Sequence, residues 1–499
     1  MSESSPPAQF DVSMALPSLL VVILAIGVYY LLSPKDKSSI RRLGGFPIVT
    51  AWAFFSRRYD FLWKHFKSSD TPHFKFQVLQ HHVVALRGEE SRRKFFDSRT
   101  LNFAEGYKIL MGASPNLKDI NVDALVKEES SWFVKRLPIL LNRKRLEDML
   151  PLLLADVENR TQTWGKKGRF DPFKNIYDLV FQMTVRMATC REFAQDIQAV
   201  DEVHRQFWIL EKSATPTRLL LPWFPGPARR RNDAATKELY MTLYTVVEKR
   251  RAAETPSSDA IDLLIAEGFE NGEIIQFILA VIFAGVVNTG LNACWALVFL
   301  AAHPEWKTKV KAEIEALIAK HTDTVSPDPL HKRLAAIPIS AWEDEMPILE
   351  SVIRESLRLA FNSALLRRNL SEPFTVAGGT IEKGDFLTYS VADVHLNPEI
   401  YTRPQEFDPL RFGPGREEDK KHTYAFLGWG AGRHPCAGMK VAKLEIKVIM
   451  AVMLAGYDFD VVDVNGKRMT NLPQPDRNDI HQARPVGETC YFQFDRIAE

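Results

Sequence analysis

The residue in this chain with the most pointed chemistry is Cys436, in the stretch FLGWGAGRHPCAG (residues 426–438). Gly428, Gly430 and Gly432 recur at alternate positions ahead of it, with His434 two places and Pro435 one place before it. A free cysteine usually ends as a small buried hydrophobe, and burial alone asks for no such setting. Glycines let a backbone adopt positive φ and approach a partner closely. The segment that follows, AGMKVAKLEIKVIMAVML, is amphipathic at helical spacing. Cys436 therefore falls just ahead of a helix N-terminus, where the dipole and free N–H groups stabilise a thiolate. A thiolate there is a nucleophile or a metal ligand. No His-Asn set with cysteine-protease spacing accompanies it, and zinc would want further clustered ligands. One sulfur with glycine clearance suits a planar metal cofactor, haem.

Other spacings carry chemistry of their own. Glu355 and Arg358, in ESLR, stand at i and i+3 and so share a helix face, where they can pair. Trp132 and Arg136, in WFVKR, place an indole N–H and a guanidinium one helical turn apart. Arg367 and Arg368 sit together in LLRRNL, and Arg411 lies in FDPLRF. The centre of a long apolar run carries Ala284, Gly285, Val287, Asn288 and Thr289 in AGVVNTG.

Together these segments resemble the cytochrome P450 family. WGAGRHPCAG is similar to its haem-binding loop, F-x-x-G-x-R-x-C-x-G: Gly432, Cys436 and Gly438 match, Trp429 stands at the aromatic position and His434 at the arginine position. ESLR matches E-x-x-R, FDPLRF resembles P-E-R-F with Leu410 in place of its glutamate, and WFVKR matches W-x-x-x-R. The resemblance covers roughly residues 44–495. It implies haem b (iron protoporphyrin IX) with Cys436 as the axial metal ligand, Trp429 shielding its sulfur, and His434, Trp132, Arg136 and Arg368 reaching the propionates, Arg367 being the neighbouring choice for the last. It also implies a structural triad of Glu355, Arg358 and Arg411 behind the haem.

The central run departs from the family pattern A/G-G-x-D/E-T-T/S. Val287 stands where the acid belongs and Asn288 where the threonine belongs, with Thr289 one place late. At about 100° per residue, Thr289 leaves the face a threonine at 288 would occupy. Val287 cannot relay a proton, and Asn288 donates hydrogen bonds without titrating. With Trp429, this pattern is similar to a subset containing sterol 7α- and 12α-hydroxylases and prostacyclin synthase. Two reactions stay open: a haem-thiolate monooxygenase using O2 on a lipophilic small molecule beneath Ala284, Gly285, Asn288 and Thr289, or a haem-thiolate isomerase or dehydratase that needs no NADPH. For the first, electrons would come from NADPH-cytochrome P450 reductase, with Lys135, Arg136, Lys440 and Lys443 as its docking face. The style of the chain is that of fungal members, which points to a secondary metabolite such as a terpenoid or polyketide.

The elements that must position these groups are legible in outline. The chain has 499 residues, 46% of them hydrophobic, and a net charge of +2, which gives no electrostatic case for nucleic acid. Its four cysteines show no disulfide framework, as befits a reducing compartment. MALPSLLVVILAIGVYYLL is apolar almost throughout; about 19 residues of helix span roughly 28 Å, near a hydrocarbon core. Acidic residues precede it and Lys35, Lys37, Arg41 and Arg42 follow, which fits a cleaved signal peptide poorly and an anchor with a cytosolic catalytic domain well. The expected division is a short luminal N-terminus (1–13), a transmembrane anchor (14–33), a basic Gly-Pro linker with a hinge at GGFP (34–47) and the catalytic domain (48–499). The resemblance places the anchor in the endoplasmic reticulum membrane.

Residues 74–87 run in strand fashion and 119–320 read as mostly helical. The long apolar run around Gly272–Ala302 reads as a central core helix. FTVAGGTIEKGDFL (374–387) reads as a hairpin turning at Gly-Gly. LLLPWFPGPARRR (219–231) reads as a loop whose Trp223 and Phe224 either dip into a membrane or pack. The fold class expected is mainly α with small β-sheets, the P450 fold behind a single N-terminal transmembrane helix.

Overall fold

The computed structural model describes residues 39–78, 80–108, 130–213, 215–220, 226–254, 257–323, 326–361, 363–479 and 483–498. The expected anchor at 14–33 and the apolar pair Trp223 and Phe224 lie outside the described residues. The last part of the basic stretch is tied down ahead of GGFP: the Lys75 N–H donates to the Arg41 carbonyl at 2.9 Å and the Leu43 N–H to the Lys75 carbonyl at 2.8 Å. Helix α1 (Pro47–Ser56) follows, with Pro47 at its first turn, where the missing N–H costs nothing.

The 74–87 run is not one strand. It divides into β1 (His73–Val78) and β2 (His81–Leu86), paired antiparallel. Helix α2 (Glu89–Asp97) and strand β3 (Leu101–Asn102) come next. With β4 (Ala364–Asn369) and β5 (Phe386–Ser390), they build a sheet in the order β1-β2-β5-β4-β3. The β2–β5 pair is parallel, with Val83 opposite Phe386, and joins segments about 300 residues apart. Between β4 and β5, Phe374–Val376 and Gly379–Ile381 form a small hairpin. Its turn is Ala377-Gly378, both at positive φ, rather than the expected Gly-Gly pair. Gly379 is instead a packing position: a Cβ there would lie 2.5 Å from His73 Nε2.

The helical mass comprises α3 (Ser130–Leu140), α4 (Arg143–Gln162), α5 (Pro172–Ala188), α6 (Ile197–Lys212), α7 (Pro227–Arg251), α8 (Asn271–Ala302), α9 (Pro347–Ala360) and α10 (Met439–Gly456). The proline-rich stretch proves shorter as a loop than expected, since Pro216–Leu220 is helical and Pro227 begins α7.

Helix α8 is the axis of the domain. A reciprocal capping box between Glu270 and Glu273 starts it. Its C-terminal half, including Trp295, is buried on every side. This explains a helix apolar all round; each large side chain buried there contributes about 1.5–3 kcal/mol. It is also long and apolar enough to cross a membrane, but its burial makes it a core helix. Helix α5 lies directly against it: a Cβ on Gly290 would stand 2.8 Å from Tyr177 Cδ2, and one on Gly285 3.2 Å from Thr184 Cγ2. The glycines that break the apolar pattern of α8 are thus where a second helix approaches.

Candidate active site

The cysteine loop is a short hairpin, Gly430–Ala431 paired with His434–Pro435. Gly430 and Gly432 take φ of +69° and +59°. A Cβ on Gly432 would stand 2.5 Å from the Phe96 carbonyl oxygen, and one on Gly430 2.7 Å from the His434 carbonyl oxygen. These glycines therefore shape the hairpin and seat it on α2; they do not provide clearance for a macrocycle. Gly438, with nothing within 4 Å of its Cβ position, is the glycine with clearance. The Cys436 N–H closes the loop on the Trp429 carbonyl at 2.7 Å.

Cys436 is exposed. On its inner side, surrounding protein desolvates the thiol and pushes its pKa up, and the Gly438 N–H only opposes this. Helix α10 begins three residues later, at Met439, so its N-terminus alone does not hold the sulfur ionised. A coordinated cation would, since a ligating thiol is deprotonated outright. Trp429 backs the loop, with its indole N–H buried and without a hydrogen-bond partner among the described residues. Lys443 lies 5.8 Å over its ring.

Behind the loop the Glu355, Arg358 and Arg411 side chains meet at 0% exposure. Arg358 grips Glu355 through two N–H···O bonds of 2.8 and 2.7 Å, and Arg411 Nε reaches Glu355 Oε1 at 2.9 Å. Arg411 also donates to Glu418 Oε2 at 2.7 Å, and Arg358 to the His395 carbonyl at 2.6 Å. Glu418 is a second carboxylate that sequence spacing did not flag; it balances the second guanidinium. His395 Nε2 accepts the Leu427 N–H at 2.9 Å, so the network anchors the start of the cysteine loop. Burial, helped by Arg358, pushes His395 down to about 3, which keeps that ring nitrogen free to accept.

At the exposed edge of the loop, His434 stacks on Phe103 at 5.4 Å. Burial, then Arg367 and Arg433, push its pKa down. Strand β4 alternates its faces, so its adjacent arginines part company. Arg367 turns inward against Phe95 and Phe103, buried, with its Nε lacking a partner among the described residues. Arg368 turns the other way, to Glu105 at 2.9 Å and over Phe386. Of the two arginines, Arg367 is the one whose charge acts on His434. Arg136 lies 5.3 Å over the Phe269 ring. The Trp132 side chain lies outside the described residues. Of the expected basic face, Lys440 stands 3.6 Å from Glu343, Lys443 pairs with Glu350, and Lys135 is exposed.

On α8, a helix otherwise buried through this region, Ala284 and Asn288 are exposed and Gly285 half-buried. Val287 and Thr289 turn into the core. The acid position thus carries a buried hydrocarbon, and the neighbouring threonine sits off the exposed face.

These residues fit a flat haem. Cys436 offers one accessible sulfur, and among the described residues no cluster of three or more His, Cys, Asp or Glu could hold a metal. Arg367 and Arg433 beside His434 make a cationic edge suited to carboxylates. The site and the mainly helical fold with its small sheet define a haem-thiolate protein. The cytochrome P450 family model matches residues 46–480. A cytochrome P450 monooxygenase of Aspergillus aculeatus, AacuE, is 29% identical and covers 89% of this chain and 91% of its own. Another, nsrP of Aspergillus novofumigatus, is 32% identical over 80% and 78%. The retinoic acid-bound cyanobacterial CYP120A1 shares the fold, with a TM-score of 0.73 at 19% identity, over 93% of this chain and 100% of its own. The chain belongs to the cytochrome P450 family. It is a P450 monooxygenase by family, and the fold and family imply haem b as its cofactor.

Proposed function

We propose that this chain is a membrane-anchored monooxygenase that hydroxylates or epoxidises a lipophilic small molecule, a secondary metabolite of terpenoid or polyketide type. The observation that carries the reading is the exposure of Ala284 and Asn288 on a buried helix together with the accessible Cys436. Cys436 would ligate the iron. Haem b, so bound, supplies the oxygen chemistry, its thiolate ligand favouring O–O cleavage. His434 and Arg368, or the neighbouring Arg367, would hold the propionates; Arg136 and Trp132 remain candidates on α3. Trp429 covers the sulfur. Ala284 and Gly285 leave room for substrate, and the Asn288 amide orients it or a water, with no titrating group of its own. Thr289 is offered only as a buried neighbour. The apolar stretch 14–33 would anchor the protein in the endoplasmic reticulum membrane, with the catalytic domain cytosolic. Lys135 and Lys440 would offer part of the docking face for NADPH-cytochrome P450 reductase.

Full-length protein in microsomes should give a thiolate-type carbon monoxide difference spectrum, and Cys436→Ala should lose it while remaining membrane-bound. A spectrum that survives the substitution would remove Cys436 as ligand. The hydrocarbon at Val287 favours a second reading, an isomerase or dehydratase. Product formation that strictly requires NADPH and reductase would sink it.

A further inference from the structure

Arg58 is a buried cation to which the reading above gives no role. It opens the helix Arg58–Lys67 and is 4% exposed. The Phe54 and Phe55 rings lie 4.6 and 5.7 Å from its guanidinium carbon. Ring faces attract a cation, but they offer no lone pair to its N–H groups. Nε and Nη2 are both buried, and neither has a hydrogen-bond partner among the described residues. Burial pushes its pKa down to about 10; only the Tyr107 phenol opposes this, and no carboxylate contributes. Arg58 is therefore still charged at neutral pH. Phe54, Phe55, Leu220 and Leu366 share one buried apolar cluster here, and a cation left unpaired in such surroundings is costly.

The open edge has a definite shape. Nε–H and Nη2–H point the same way and match the two oxygens of a carboxylate. Elsewhere in the domain that edge is filled in this manner. Arg186 grips both oxygens of Asp156 through Nε and Nη2 at 2.6 and 2.5 Å. Arg358 holds Glu355 through the same pair at 2.8 and 2.7 Å. Among the described residues, Arg58 is the one arginine with both atoms of this edge buried and open. Internal water can occupy such an edge, but it brings no counter-charge.

Tyr107 relates Arg58 to the cysteine loop. It is half-buried, on the short helix Phe103–Lys108, and its phenol is near enough to act on the charges of both Arg58 and Arg367. Its ring lies 4.6 Å from Phe103, which stacks on His434 at 5.4 Å. We propose that the Nε–Nη2 edge of Arg58 binds a carboxylate carried by the substrate, beside the Tyr107 phenol. The substrate is then a lipophilic acid, and distance from its carboxylate sets the position of oxidation. This deepens the monooxygenase reading and rests on it. Arg58 determines specificity and touches no reacting atom.

The test uses full-length protein in membranes, titrated with dodecanoic, abietic and anthraquinone-2-carboxylic acids and with their methyl esters. Binding is read as the spin-state shift of the haem spectrum and, in parallel, by equilibrium dialysis of labelled ligand. For at least one of these pairs the acid should bind about tenfold tighter than its ester, the weight of a charge-assisted hydrogen-bond pair. Arg58→Met should remove that preference, and Arg58→Lys should restore only part of it, having the charge without the fork. Comparing acid-to-ester ratios between wild type and variant cancels partition into lipid. Arg58→Met should also keep the thiolate-type spectrum and melt no lower than wild type, because it deletes an unpaired charge. Absence of an acid preference in every pair overturns the proposal, and so does a preference that survives Arg58→Met. So does an Arg58→Met protein that loses haem or melts lower, since Arg58 would then serve a propionate or the fold. A wild type without the thiolate-type spectrum would instead overturn the haem reading, and dialysis would still decide whether Arg58 selects acids.

Discussion

Two polar regions of this domain are equally buried and built on opposite plans. Around Glu355 every charge has a counter-charge or a carbonyl: Arg358 and Arg411 both donate to Glu355, Arg411 also donates to Glu418, and further N–H groups of both arginines reach backbone oxygens. Along α8 and its neighbours the polar groups are sparse and incompletely satisfied: among the described residues the Asn292 amide has no hydrogen-bond partner, and Glu445 takes one long bond from Thr184. A complete buried network is rigid, and removing one member strands a charge. An incomplete one keeps spare hydrogen-bonding capacity. The first holds the loop that carries Cys436.

That contrast can be broken by substitution. Glu355→Gln leaves two buried guanidinium groups short of charge, and should cost about 3–5 kcal/mol, read as a large drop in thermal midpoint or loss of the thiolate-type spectrum. A variant within about 1 kcal/mol of wild type would mean that water reaches the network. Gly432→Ala should come next, at about 2 kcal/mol, because alanine resists the left-handed φ and its Cβ would press on the Phe96 carbonyl; the same thermal scan would show it. A wild-type midpoint here would mean that the hairpin can lift off α2.

His395 gives the framework an acid limit. Its folded pKa, about 3, lies below the ordinary value near 6.5, so the unfolded chain takes up the proton first. The stability it contributes is complete above about pH 6.5 and falls by roughly 1 kcal/mol per pH unit on acidification, levelling off near the folded value. Denaturant titrations from pH 7 to 4 should show this slope, and His395→Gln should flatten it. The smallest effect, and the opposite sign, belongs to Asn292→Leu. Replacing an unpartnered buried amide by an apolar group of similar volume should leave stability unchanged or raise it by up to about 1 kcal/mol. A loss of 3 kcal/mol or more would place Asn292 with the Glu355 network and erase the contrast between the regions, since about that much marks a broken buried network.

Much of the framework could be read from residue order. The i, i+3 spacing of Glu355 and Arg358, the glycines before Cys436 and the all-round apolar character of the 271–302 segment each express a local rule, and local rules survive without coordinates. What could not be read was which way neighbours face. Arg367 and Arg368 are chemically the same, and only the pairing of their strand turned one toward His434 and the other toward Glu105. Gly432 looked like clearance because nothing in the chain near it mentions Phe96. Neither Glu445, set between Lys443 and Lys447, nor Thr184 carried a signal in the sequence.

The sequence by itself determined the family, the hydrocarbon at Val287 and the mainly helical class, and it singled out Cys436 by its setting, because these depend on residue type and short spacing. Tertiary structure decided which glycines make contacts, which arginine serves the cationic edge and which buried acid lies behind the central helix. Those choices bring together residues far apart in the chain: Thr184 and Glu445 are 261 positions apart yet share a hydrogen bond. Packing alone makes such a contact, since no local preference along the chain spans that distance.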